Sequence, residues 1–111
     1  MNSKEYIRLR KEHEVAKEIR KVARWVREDI SLYNARFPLS DSMLRPIPLE
    51  RLLQQMPNRY ASRFAKACQY LDIRSTSEVI GVGVERLGKI RGLGYKTISS
   101  VEYAMQQFVK K

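Results

Sequence analysis

The stretch Leu87-Gly88-Lys89-Ile90-Arg91-Gly92-Leu93-Gly94-Tyr95-Lys96-Thr97-Ile98 decides how this chain is read. Two glycines flank one leucine between a short apolar-periodic segment and a longer one, so the chain must reverse within a few residues. Gly92 can take the positive φ that ends a helix, and Gly94 removes a side chain where the next helix begins, letting an outside backbone come close. Leu93 then anchors the hairpin in the core. The helix that follows opens with free N–H groups and a partial positive charge at Gly94, Tyr95 and Lys96, which suits a phosphate oxygen. Lys96 adds a full charge, Thr97 a hydroxyl donor, and Arg91 flanks the same tip. By spacing alone, Gly-Leu-Gly serves equally as a tight turn between helices with no ligand. A P-loop is excluded, because no strand precedes the stretch and no Gly-Lys-Ser/Thr stands at the required spacing. A dinucleotide fingerprint fails for want of a βαβ unit.

Working outward, every neighbouring segment has helical spacing. Val84 to Ile90 supplies one or two turns with Val84, Leu87 and Ile90 inward, and Tyr95 to Phe108 or Val109 buries Ile98, Val101, Met105 and Phe108. Ser75-Thr76-Ser77-Glu78 has the form of a capping box, predicting a short helix that ends near Gly81. From Arg59 to Leu71 an apolar stripe of Tyr60, Phe64, Ala67, Cys68 and Leu71 stands opposite Arg59, Arg63 and Lys66. Leu49 to Met56 is a shorter helix with Leu49, Leu52, Leu53 and Met56 on one side, stopped by Pro57. Residues 37–48 hold three of the four prolines and read as a linker or a wrapped extended segment.

From Ser3 to about Asn34 there is no Gly or Pro, and Val15, Ile19, Val22, Val26, Ile30 and Tyr33 form one drifting stripe. Ser3 caps the start, and Asn34 with Pro38 marks the end of a helix of roughly 45 Å. Its stripe either packs on the chain's own core or pairs with a second copy. The cations Lys11, Lys17, Arg20, Lys21, Arg24 and Arg27 interleave with Glu12, Glu14, Glu18 and Glu28, which predicts a solvated face with intrahelical pairs. Trp25 lies beside the stripe and is expected against another helix.

Bulk composition narrows the chemistry. The 111 residues carry 22 Lys+Arg against 12 Asp+Glu, a formal charge of +10. Residues 1–37 hold ten cations and six acids, and residues 38–111 hold twelve and six, so neither half is a basic tail. Such an excess attracts a polyanion, with nucleic acid first among partners. No apolar run approaches the ~20 residues of a membrane span, and no signal-peptide core is present, so a cytoplasmic location is expected. Cys68, the single cysteine, has no ligand cluster around it, and His13 is the single histidine. No metal, no cofactor and no catalytic set is therefore expected, and Cys68 is read as a small buried hydrophobe rather than a reactive thiol. The carboxylates beyond residue 56, Asp72, Glu78, Glu85 and Glu102, fall on different faces and assemble no acid–base pair. Tyr60, Tyr70, Tyr95 and Tyr103 are read as core or rim aromatics, with stacking on single strands as the alternative.

The segment from about Arg59 to Phe108 resembles the carboxy-terminal domain of the bacterial RNA polymerase alpha subunit, a variant helix-hairpin-helix fold. Three features carry the likeness: Arg63 in Arg-Phe-Ala-Lys-Ala-Cys, the Leu71-to-Ile80 stretch leading into a short helix, and Leu87-x-x-Ile90-Arg91-Gly92-Leu93-Gly94-x-Lys96-Thr97. The resemblance implies that Arg63 enters the minor groove, preferentially at A/T-rich sequence, with Gly94, Lys96 and Thr97 on the DNA backbone. Lys66 stands where that family has an asparagine, trading a groove hydrogen bond for a charge, and Gly92 replaces a polar residue. The long first helix is not the polymerase subunit's assembly domain, which implies an accessory protein carrying the module.

The expectation is an all-α protein: residues 1–36 a long basic amphipathic helix, 37–48 a linker, and 49–111 a compact helix-hairpin-helix domain of four to five helices. Its expected role is non-catalytic, transcription-related binding of duplex DNA through Arg63, Lys66, Arg91, Gly92, Gly94, Lys96 and Thr97. RNA polymerase or a transcription factor, and a second copy through the first helix, are the further partners expected. The alternative is a helical adaptor that docks on the transcription machinery or another protein.

Overall fold

Apolar residues recurring every three or four positions produce six helices in the computed structural model, which describes residues 3–30, 47–90 and 92–108. They are α1 (Ser3–Glu28), α2 (Leu49–Gln54), α3 (Asn58–Tyr70), α4 (Thr76–Val82), α5 (Val84–Leu87) and α6 (Tyr95–Met105). The protein is all-helical among these residues: one long amino-terminal helix and five short ones. Asn34 and Pro38, expected to close the first helix, lie outside the described residues, as do Tyr33 and most of the 37–48 segment. The break seen comes earlier, at Asp29, with Ile30 helical beyond it.

The stripe of α1 packs on its own chain, chiefly against α4 and also against α5. Its buried centre is Ala16, Ile19, Ala23 and Val26, all 0% exposed, while Val15 and Val22 are only half-buried at the margin. The apolar pattern weights the valines, but alanines at the contact line let two helices approach closely, so the close face of α1 is the alanine face. The first three turns extend beyond this contact, with Ile7 and Leu9 exposed. Trp25 is half-buried and packs beside Val26 and Ile47.

Pro57 stops α2 and opens α3, whose Phe64, Cys68 and Leu71 are fully buried. The end of α3 has the Schellman arrangement: Ile73 N–H donates to Cys68 O at 2.9 Å, and Asp72 N–H to Gln69 O at 3.3 Å. The residue in the left-handed position is Asp72 (φ 58) rather than glycine, a conformation that a short polar side chain tolerates.

The capping box opens α4 as the spacing predicts. Ser75 Oγ accepts from Glu78 N–H at 3.3 Å, and Glu78 Oε2 accepts from Ser75 N–H at 2.9 Å. This first turn is entirely buried, and each of its polar side chains has a partner. Thr76 Oγ1 donates to Pro48 O at 3.3 Å, and Ser77 Oγ accepts from Ile47 N–H at 3.5 Å. With Thr76 N–H on Ile47 O at 2.9 Å, these bonds strap the end of the proline-containing segment, Ile47–Pro48, across the start of α4. That much of the segment is wrapped on the core, with one isolated bridge between Pro48 and Ser75.

The charges on α1 correct the solvated-face reading. Arg10–Glu14 at 3.7 Å is an intrahelical pair, but Arg27 crosses to α4 and places Nε 2.6 Å from Glu78 Oε1. Its other nitrogens reach Asp72 O at 2.8 Å and Asp72 Oδ2 at 3.8 Å. Glu18 meets Arg86 of α5 at 3.5 Å, and Arg20 lies 5.2 Å over the Tyr70 ring and donates to Tyr70 O at 3.3 Å. Three side chains assigned to solvent therefore dock the helix, because their positions flank the buried alanine face.

Removing one partner of a buried ion pair leaves the other charge uncompensated. Arg27→Met is expected to lower stability by about 3 kcal/mol, read from thermal or urea unfolding. Arg27→Met/Glu78→Gln should cost less than the two single variants together, since the orphaned carboxylate is then gone. Additive costs would show that Glu78 does not depend on Arg27.

Candidate nucleic-acid interface

The hairpin between α5 and α6 is built as its glycines imply, with one difference. Helix α5 ends at Leu87, and Gly88 to Ile90 form a turn, so Gly92 sits inside the loop rather than capping the helix. Gly92 has φ +94, a conformation L side chains rarely adopt, and Leu93 behind it is 5% exposed, the anchor expected of it. Gly94 is the N-cap of α6 at φ −73, ψ 172, which any residue can take, and a Cβ there would meet nothing within 4 Å. Nothing inside the protein requires a glycine at 94.

The first helical bond of α6 runs from Ile98 N–H to Gly94 O at 3.0 Å, and no side chain caps the helix. The N–H groups of Tyr95, Lys96 and Thr97 therefore have no acceptor within α6, and the positive end of its dipole is uncovered. By contrast, the start of α4 is closed by its own serine and glutamate.

An open groove of about 450 Å³ lies against this helix start, lined by Arg59, Tyr60, Arg63, Gly94, Tyr95, Lys96 and Thr97. Pro57 sets the beginning of α3 so that Arg59 and Arg63, four residues apart and exposed, fall on the face turned to α6. Among the described residues, three cations line the groove and no carboxylate does.

Of the residues singled out in the sequence, Arg63, Gly94, Lys96 and Thr97 are brought together here. Lys66 is exposed one turn further along α3 and is not among the lining residues; Gly92 is exposed on the loop, also outside the lining. Arg91 lies outside the described residues. Thr97 differs from its expected place as an exposed donor: it is 2% exposed, because the inward spacing of α6 runs Thr97, Val101, Ala104. It borders the groove from the core side. Arg59, Tyr60 and Tyr95 are groove residues that the motif did not single out. Arg59 had a signal in its spacing from Arg63; Tyr95, 86% exposed, had none beyond its place at the head of the helix.

No group of three His, Cys, Asp or Glu side chains able to hold a metal ion occurs among the described residues. Nor is any described helix long and apolar enough to cross a membrane. Cys68 is fully buried, and loss of solvation, helped by the negative charge of Glu78, pushes its thiol up to about 12. Comparison with protein-family models, with curated proteins and with solved structures gives no match. The likeness to the polymerase domain rests on the residues quoted for it.

Two expectations follow. In the native protein Cys68 should resist alkylation at neutral and mildly alkaline pH and react once unfolded, since the thiol stays protonated. The sign of the shift also means that its contribution to stability is intact below 9.0, the unfolded value, and is lost as pH rises toward 12. For the glycines, Gly92→Ala should destabilise by about 1–2 kcal/mol through its positive φ, whereas Gly94→Ser should leave thermal stability level or raise it. Equal losses at both positions would mean that the fold itself needs Gly94.

Proposed function

We propose that this chain is a non-catalytic DNA-binding protein whose α3–α6 groove sits on duplex DNA from the minor-groove side. The observation that carries this reading is the convergence of Arg59, Arg63 and Lys96 with the uncapped start of α6 in a groove with no carboxylate among its described lining residues. Main-chain N–H groups and a lysine fix register on phosphates, while an arginine is favoured by the negative potential of a narrow minor groove. Arg63 is the groove residue, Gly94 and Lys96 hold backbone, and Lys66 extends the positive field along α3. Gly94 supports the same reading, because a residue that the fold does not require to be glycine lies where an incoming phosphate backbone would pass. The resemblance to the polymerase domain places the role in transcription, with RNA polymerase or a transcription factor as protein partner. The exposed first turns of α1 remain as a surface for that partner or a second copy.

Fluorescence anisotropy with A/T-rich and G/C-rich duplexes at about 50 and 200 mM salt tests the proposal. Wild type should bind, weaken with salt, and prefer the A/T-rich probe. Arg63→Ala/Lys96→Ala should lose roughly tenfold or more in affinity and flatten the salt dependence by about one unit of slope. Gly94→Ser should weaken binding with no loss of stability. If wild type does not bind, or the double variant binds equally, the groove is not a DNA site, and the protein-adaptor reading takes its place.

A further inference from the structure

We infer that the face of α6 from Tyr95 to Tyr103 receives unpaired bases, so that the ligand of this interface is duplex DNA continuing into a single strand. The inference rests on the DNA-binding reading and names the form of DNA. Tyr95 and Tyr103 are 86% and 67% exposed, above every other exposed large hydrophobic residue described. Between them stand Ser99 and Ser100, too small to cover either ring. A second groove, of about 400 Å³, is lined by Gln55, Pro57, Ser99, Ser100 and Tyr103. It shares α6 with the basic groove, and its other wall is the corner where α2 passes into α3, just before the turns of α3 that bound the basic groove. The two grooves therefore follow one another along α6, cationic at its start and aromatic farther on. Among the described residues neither lining includes a carboxylate, and Glu102 is exposed but lies outside both.

A track of positive charge leading to exposed aromatic faces is the chemistry that holds an unpaired strand: cations take the phosphates and rings take the bases. The spacing does not match neighbouring stacked bases. Eight residues of helix set the two positions about 12 Å apart along the axis, against ~3.4 Å between neighbouring bases of a stacked strand. Bases inside a duplex also have both faces covered by their neighbours. Tyr95 and Tyr103 can thus each stack on a base only where the strand is extended and its bases are turned out.

The test is anisotropy of the full chain with three probes: a blunt duplex, the same duplex with a thymine overhang, and a thymine single strand. Wild type should prefer the overhang probe to the blunt duplex by about tenfold or more. Tyr103→Ala, at a residue outside the basic groove, should abolish that preference while keeping blunt-duplex affinity and thermal stability. Arg63→Ala/Lys96→Ala should weaken all probes. Equal binding of blunt and overhang probes by wild type, or a tyrosine variant that weakens both alike, overturns the inference and leaves the duplex reading standing. Absence of binding to every probe overturns both.

Discussion

A carboxylate that is 1% exposed, that of Glu78, is the constraint around which the rest of the molecule is arranged. An ionised group so far from water must be met by charge and hydrogen bonds together, or its burial costs several kcal/mol. Here the backbone N–H groups of Arg74 and Ser75 supply the local bonds, and Arg27 supplies the charge from another helix. This sets the register of α1. Sliding that helix by one turn, about 5.4 Å, would carry the guanidinium out of reach. Arg27 also holds the carbonyl of Asp72, the left-handed residue at the end of α3, so one side chain joins α1, the end of α3 and the start of α4.

The same arrangement prepares the groove at the opposite end of α3. With its last turn held by the Schellman bonds and by Arg20 on Tyr70, α3 presents its first turns toward the start of α6. Leu93 and the inward side chains of α6 lock the second wall into the core shared with Phe64 and Leu87. The groove therefore joins two elements that are each fixed elsewhere, which is what holds a binding constellation in place.

Local rules were enough to read most of the helices. The capping box at Ser75, the stop at Pro57 and the stripe of α3 depend on residues within a turn of one another, so they stand in the sequence directly. The hairpin glycines were legible for the same reason, and with them Gly94 and Lys96. What was not legible depends on separations of tens of residues. The pairing of Arg27 with Glu78, and the choice of Ala16 and Ala23 over Val15 and Val22 as the buried face, follow from how closely α1 lies on α4. Thr97 was misplaced because its hydroxyl suits a phosphate while its position in the helix repeat suits the core, and packing decided between them.

The distribution of acids ties the fold to the proposed role. Asp72, Glu18 and Glu78 are all engaged by arginines, and that pairing is what docks α1. Those three carboxylates stand where the helices meet, and Arg59, Arg63 and Lys96 line the groove together, with Arg59 5.8 Å from the centroid of the Tyr60 ring. Like charges gathered in this way oppose folding slightly and gain nothing within the chain. A protein consistent at every other level departs from consistency where an outside partner completes it. An uncapped helix start, a glycine the backbone does not need and three cations lining one groove are three such departures, and the phosphodiester strand of the proposed function would satisfy all three.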